Sequence, residues 1–510
     1  MLPKKPQRRN WFEPVLVTAT SILFVVSNYW HVIYEWGTNT SDHVYHAIAH
    51  YYIDYFLYLS HVAQGANGQL FRTHHMFTGE TLPTTTIYWV YSLIGFFGHI
   101  IGLTPVWSYH LSLVLLTMLL CFLWYLFCRF LYPGKVAMRL ITFIVVMSAS
   151  PFINPFTLEF PKNLWFSPAP AFNRLGGVPH QIIQTIALLL VLFGLSKTKH
   201  IKDYVLLALI SFIAAYAHPL QMALLLIAAG TTALLTDIKR LLPVCIAGAI
   251  SIPAALIINH EYETPIYAIA KQWELMQYTP KDILWWIAAM GPIALFIPFG
   301  IWPFIKKRDP FHLTFFLYGL FSVLCYNSFV PKLISVIPQR FLHPASYALF
   351  PVLAVSGFFA VQKDLPRILG RLCIVIAIGV YAAFTIPAAI KEVLMRINDP
   401  MLIESVYLNH TPVSVVNTLK SFQEMKQDNY VVLAQKELGI DLLVPLYTNR
   451  TSFMGQPIHT LYPNEKEAVR QNFFEGGMTA DEKRKFLTDH RIGYAITKSD
   501  TGIRITKISP

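Results

Sequence analysis

SDHVYHAIAHYYIDYFLYLSHVAQG, residues 41–65, lies in a stretch (34–85) that is half apolar yet carries most of the acid and imidazole of the first hundred residues. Asp42, His46, His50 and Asp54 recur every four residues. Read as a helix, neighbouring members of that series stack on one side, and the stripe drifts by about 40° per step. With Tyr, Ile, Phe and Leu on its other faces, such a helix lies along a membrane surface and turns the polar stripe towards a cavity. The plainer alternative is an interfacial helix whose polar side meets water. The number of titratable groups beside the membrane favours binding or catalysis.

Outward from this stretch the chain is a membrane protein. Hydrophobic residues make up 55% of the 510 and charged residues 13%, with a mean hydropathy of +0.47, which excludes an ordinary soluble fold. The runs 12–33, 106–128, 138–153, 219–235, 283–304 and 368–387 hold few or no charges. Short basic or Pro-rich links separate them, the pattern of a helical bundle and not of barrel strands. Much of the net charge of +12 sits in links flanking these runs, so it is no nucleic-acid footprint. Cys121, Cys128, Cys245, Cys325 and Cys373 all fall inside apolar runs, which makes them small buried hydrophobes and supports neither a disulfide framework nor a cysteine zinc site. The first run follows MLPKKPQRR and lacks a small-residue cleavage signature, so it reads as an uncleaved span.

Positive charge sets the orientation. Lys4, Lys5, Arg8 and Arg9 put the N-terminus in the cytoplasm, and the first span delivers 34–85 to the outside. The run 86–103 is short and Gly-rich. If it crossed, Arg129, Lys135 and Arg139 would fall outside, so it is predicted to be re-entrant or surface-lying. The basic links 129–139, 197–202, 237–240, 306–309 and 362–367 then all fall inside. The result is an all-α polytopic bundle of about eleven spans over 1–390, with the C-terminus outside.

From 398 to 510 the character changes. Helix-like pieces (417–427, 465–474) alternate with strand-like ones (429–435, 491–499, 502–508), and Thr479 to Glu482 has capping-box spacing. A small extracytoplasmic α/β domain is predicted, without a phosphate loop or metal-ligand spacing, serving as a support or acceptor-side module.

In this orientation the outer surface collects Asp42, His46, His50, Asp54 and Glu80 from the first loop. It further collects Glu159, Lys162, Arg174 and His180, then His218, and finally Lys332, Arg340 and His343 within PKLISVIPQRFLHP. His180 and His218 adjoin prolines and have a plainer reading as partners of freed carbonyls. Lys332 and Arg340 have one as lipid-headgroup contacts. An unneutralised guanidinium at the outer membrane edge nevertheless suits a lipid phosphate. A carboxylate there, cations nearby and an apolar bundle fit transfer of a sugar from a lipid phosphate, with the carboxylate deprotonating the acceptor. His46, His50 and Asp54 also have helical metal-ligand spacing. No metal site is assigned from it, and a divalent metal at those residues is the alternative.

With these residues in place, the chain resembles the polytopic glycosyltransferases of the GT-C class, which depend on polyprenyl-phosphate sugars and include protein O-mannosyltransferases and aminoarabinose transferases. It is most similar to their prokaryotic branch. The likeness rests on an early acid in a long outer loop, on DYFLYLSHVAQGANGQLF running to FTGE, on the short helix YWVYSLIGFFG, and on an Arg-containing loop before a soluble tail. It implies a base at Asp54 or Asp42, and a donor phosphate held by Arg340 with Lys332. Around them His46, His50, Glu80, His180, His218 and His343 would line a substrate cavity. The partners implied are membrane lipids, a polyprenyl-phosphate-linked sugar and a glycan, lipid or protein acceptor, at the inner membrane of a prokaryote. The chain departs from the pattern in having no Asp-Glu pair directly after the first span, no Pro-Pro-Leu before the short helix and no Trp-Trp-Asp. These departures leave the catalytic acid and the acceptor open. Two other classes compete: a transporter or flippase, which needs ionisable groups near mid-membrane, and a non-catalytic scaffold presenting the tail.

Overall fold

The computed structural model describes residues 11–154, 156–157, 159–161, 164, 167–198, 200–307, 309–398, 406–425, 428–436, 439–500 and 502–508. Lys162 and the four N-terminal cations lie outside the described residues.

The bundle begins with α1 (Phe12–Trp36). After an extended stretch come α2 (Tyr52–Ala66) and α3 (Trp89–Ile100), then α4 (Pro105–Leu131) and α5 (Val136–Ser148). Next in order are α6 (Pro179–Lys197), α7 (Ile201–Ala217), α8 (Pro219–Thr236) and α9 (Leu241–Glu261). The short α10 (Pro265–Leu275) precedes α11 (Ile283–Ile305), α12 (Pro310–Asn327), α13 (Leu349–Asp364) and α14 (Arg367–Asn398). Eight helical segments among the described residues are long and apolar enough to cross a membrane. The shorter α5 and α7, and α12, pack between them and complete the bundle. α3 has only 12 residues, about 18 Å of helix against a hydrocarbon core of about 30 Å.

Local chemistry sets the helix starts. Thr104 accepts the Trp107 amide ahead of Pro105, and Asp309 accepts the Phe311 and His312 amides ahead of Pro310. These side chains satisfy amides that the first turn leaves unpaired. α11 is broken by a 3₁₀ turn over Gly291–Phe296, where Gly291 sits at φ +64 beside Pro292.

Two contacts between helices depend on glycine. A Cβ on Gly65 would overlap the Ser92 carbonyl, and one on Gly95 would overlap the Val62 carbonyl, so α2 and α3 touch backbone to backbone. Gly300 and Gly357 do the same for α11 and α13. Arg174, expected on the outer surface, is instead fully buried. It donates to the carbonyls of Val146 (2.8 Å), Pro168 (2.8 Å), Ala169 (2.6 Å) and Ala149, and so ties down the turn after α5.

The C-terminal unit carries a three-stranded sheet. β3 (Val431–Ala434) runs parallel to β4 (Ile492–Ser499), which pairs antiparallel with β5 (Gly502–Lys507). α15 (Val413–Glu424), α16 (Pro463–Glu475) and α17 (Ala480–Asp489) complete it, with Thr479 and Glu482 forming the predicted capping box. Two further strands join this unit to the first loop: β1 (His43–Tyr45) pairs antiparallel with β2 (His410–Pro412). Thr78 bridges Met454, and Lys466 Nζ lies 2.6 Å from Glu80.

The predicted polar stripe is therefore corrected. Asp42 lies in a turn before β1, and His46 and His50 lie in the extended segment after it; Asp54 alone of the four is helical. Strand pairing with β2 offers the 43–45 backbone more than an isolated amphipathic turn would, and it takes residues 42–50 off any helical period.

Candidate functional site

The site is built on the first two turns of α2. Asp54 and Tyr58 are four apart and share a face, while Tyr55, Phe56 and Leu59 turn into the core. Tyr58 stacks flat on Tyr91 of α3, ring centroids 4.4 Å apart, and this contact needs the close approach that Gly65 and Gly95 permit. Tyr91 in turn hydrogen-bonds through its hydroxyl to His180 Nδ1 at 2.6 Å. His180 is the second residue of α6, placed there by Pro179. Behind this layer His50 Nε2 meets the Tyr109 hydroxyl at 3.0 Å.

The other wall comes from the later loops. His218 caps α8 and sets its ring edge-on to His343, centroids 5.3 Å apart. Gln221, held by the Tyr318 hydroxyl at 2.6 Å, donates to the Arg340 carbonyl at 2.9 Å and fixes that loop. Arg340 makes a two-pronged ion pair with Glu274 of α10, its Nε 3.2 Å from the carboxylate. The guanidinium expected to be unneutralised thus has a carboxylate partner. Lys332 is exposed, and no ion pair involves it among the described residues.

Electrostatics join the walls. The Tyr58 hydroxyl feels both the Asp54 carboxylate and the Arg340 guanidinium. Burial raises the Asp54 carboxyl above its ordinary value, and a hydrogen bond from Gln456 partly offsets this. Burial holds His50 and His343 neutral, their pKa values pushed down to about 3. His218 is lowered by burial first, then by His343 and Arg340. At neutral pH the imidazoles here are dipoles, and the cation acting on Tyr58 is Arg340.

Asp54 and Arg340 both act on the Tyr58 hydroxyl, His50 and His180 set their rings against Tyr58, and His218 and His343 pair beside the Arg340 loop. The other expected residues lie elsewhere. Asp42 is exposed beside His43. His46 is buried, its Nε2 2.6 Å from the Tyr447 hydroxyl. Glu80 is engaged by Lys466 and Thr78 at the C-terminal unit, which lowers its carboxyl against the burial that raises it. The helical spacing behind the metal alternative is absent, because His46 and His50 precede α2; with Asp54 they take tyrosines and Gln456 as partners. Among the described residues no group of three or more His, Cys, Asp and Glu could hold a metal ion.

Sequence reading missed Tyr58, Tyr91, Glu274 and Gln456 as site residues. Tyr58 was within reach through its four-residue spacing from Asp54; Gln456 carries no local signal, since only the fold brings it to α2.

Solved structures superpose on nearly the whole chain. An oligosaccharyltransferase from Archaeoglobus fulgidus, tethered to an acceptor peptide with an NVT sequon, matches with a TM-score of 0.55 at 11% identity, covering 96% of this chain and 69% of that one. ArnT from Cupriavidus metallidurans, bound to undecaprenyl phosphate, matches with a TM-score of 0.50 at 11% identity, covering 98% of each chain. This chain has the GT-C fold. No protein-family model and no curated protein sequence matches it. The archaeal oligosaccharyltransferase AglB from Archaeoglobus fulgidus, in complex with an inhibitory peptide and a dolichol-phosphate, matches with a TM-score of 0.53 at 10% identity, over 96% of this chain and 70% of that one. At such identities the likeness carries the course of the backbone alone.

Proposed function

We propose that this protein is a membrane glycosyltransferase that moves a sugar from a polyprenyl-phosphate donor to an acceptor on the outer face of the membrane. The observation that carries the reading is the position of Tyr58, within electrostatic reach of a burial-raised carboxylate on one side and a guanidinium on the other. A carboxyl raised by burial is, once ionised, a stronger base than an exposed one. In the reaction, Asp54 takes the acceptor's hydroxyl or amine proton as that atom attacks sugar C1. The C1–O bond breaks, and the lipid phosphate leaves with the electron pair. Arg340, released from Glu274, receives that charge.

An apolar groove of about 340 Å³ supports a lipid-borne donor. Leu224 and Ile227 of α8, Phe321 and Leu324 of α12, and Val330 line it. One end adjoins the loop that carries Lys332, and Gln221, which holds Arg340, sits one turn before Leu224. The dolichol-phosphate and undecaprenyl phosphate carried by the solved GT-C neighbours support the same donor class. Clustering of the titratable groups at helix ends favours transfer over passage through the bundle.

The test is transfer of radiolabelled sugar from a polyprenyl-phosphate donor by the purified chain, with donor binding measured separately. Asp54→Asn should abolish transfer and keep donor binding; Arg340→Ala should weaken binding itself. Normal transfer by the Asp54→Asn variant would overturn the assignment.

A further inference from the structure

A second cleft, of about 300 Å³, lies between α2 and the C-terminal unit. Its walls include Tyr52, Tyr407, Lys436, Asp441 and Arg470, and its floor passes Gly455 and Pro457. That is the small end of the range for a ligand site. Asp441 Oδ2 and Arg470 Nη1 are 2.5 Å apart, with side chains only 9% and 7% exposed. Glu467 accepts from Arg470 and lies 2.8 Å from Lys436 Nζ. The two acids balance the two bases, so the cleft has no surplus charge for an isolated phosphate or carboxylate. Arg470 Nε is buried and finds no acceptor among the described residues.

Closely spaced donors and acceptors in a charge-balanced setting, with tyrosines in the wall, match a polyhydroxylated ring. Such a ring offers hydroxyls in both senses and an apolar face. We propose that this cleft is a carbohydrate subsite for a neutral sugar residue of the acceptor. This rests on the transferase reading above and names the acceptor class as a glycan. Gln456, between Gly455 and Pro457 of the floor, donates to Asp54 Oδ1 at 2.9 Å. A sugar seated here would therefore lie one residue from the group assigned as the base.

The test is saturation-transfer NMR on the purified full chain in detergent. The probes are methyl pyranosides of the gluco, manno, galacto and N-acetylglucosamino series, with inorganic phosphate and glutamate as anionic competitors. The expected result is transfer to at least one pyranoside, reduced at least fivefold in Tyr407→Ala and in Asp441→Asn and untouched by either anion. Tyr407 is partly exposed, so its truncation leaves the core intact even where the Asp441 change unfolds the unit. Absence of transfer in the wild type, an unchanged signal in a folded Tyr407→Ala, or displacement by phosphate overturns the subsite. The two readings fail separately: Asp54→Asn that still transfers sugar sinks the base, while pyranoside binding in that variant keeps the cleft.

Discussion

Gln456 Nε2 donates to Asp54 Oδ1 at 2.9 Å, although the two residues are 402 positions apart. The bond ties the C-terminal unit to the first turn of α2. It is also the hydrogen bond that holds the Asp54 carboxyl down against the burial that raises it. A base works when ionised, so activity should fall as pH drops through a pKa above the ordinary carboxylate value. Gln456→Ala removes a contact that favours the ionised form, and the acid limb of the kcat/KM profile should move to higher pH. Profiles of both proteins check this. A limb that stays in place or moves to lower pH would separate Gln456 from the catalytic carboxylate.

Arg340 and Glu274 form the counterpart on the donor side. If the guanidinium leaves Glu274 to meet a lipid phosphate, the resting ion pair competes with donor binding. Glu274→Gln should then tighten binding of a polyprenyl phosphate. Arg340→Ala should weaken it by a charge-assisted contact of about 1.5–3 kcal/mol, roughly 10- to 150-fold. Native mass spectrometry or calorimetry of the detergent-solubilised variants measures both. Unchanged affinity in both would move the phosphate away from this loop.

The bundle was legible because its signal is local: long apolar runs and Pro, Thr or Asp at the helix starts act within a turn or two. The C-terminal strands were legible for the same reason, as was the Thr479 cap. Residues 42–50 were misread because a four-residue recurrence of acids and imidazoles competes with strand pairing to His410–Pro412, which no local pattern reveals. Glu80 was read as lining the cavity and Arg340 as unneutralised, yet Lys466 and Glu274 reach them across 386 and 66 residues. Ion pairs at such separation leave no spacing rule in the sequence. Asp54, His180, His218 and His343 each sit at or beside a helix start, where the sequence does fix position.

The positive-charge bias predicts the orientation, and thiol labelling reads it directly. In a cysteine-free background, Ser421→Cys on the exposed side of α15 should react with an impermeant thiol reagent in intact cells. Lys202→Cys, exposed at the start of α7, should react only after permeabilisation. The reverse pattern would put Asp54 and Arg340 on the cytoplasmic side and remove the outer-face donor from consideration.

The α2–α3 contact makes the site's geometry depend on two residues that touch no substrate. A methyl on Gly95 must displace the Val62 carbonyl, and one on Gly65 the Ser92 carbonyl, with nothing flexible to give way. Overpacking of this kind costs about 1–3 kcal/mol. The relief available is separation of the helices, which would part Tyr58 from Tyr91 and loosen the Tyr91 hydroxyl from His180. Gly95→Ala should therefore lower both thermal stability and transfer. Gly102→Ala serves as the control: Gly102 has open space around it and pays only for its positive φ of +77. It should lose stability through backbone strain while keeping transfer per folded molecule. Thermal melts and turnover normalised to folded protein separate the two effects. Full turnover from folded Gly95→Ala would show that the stacked tyrosines do not position Asp54.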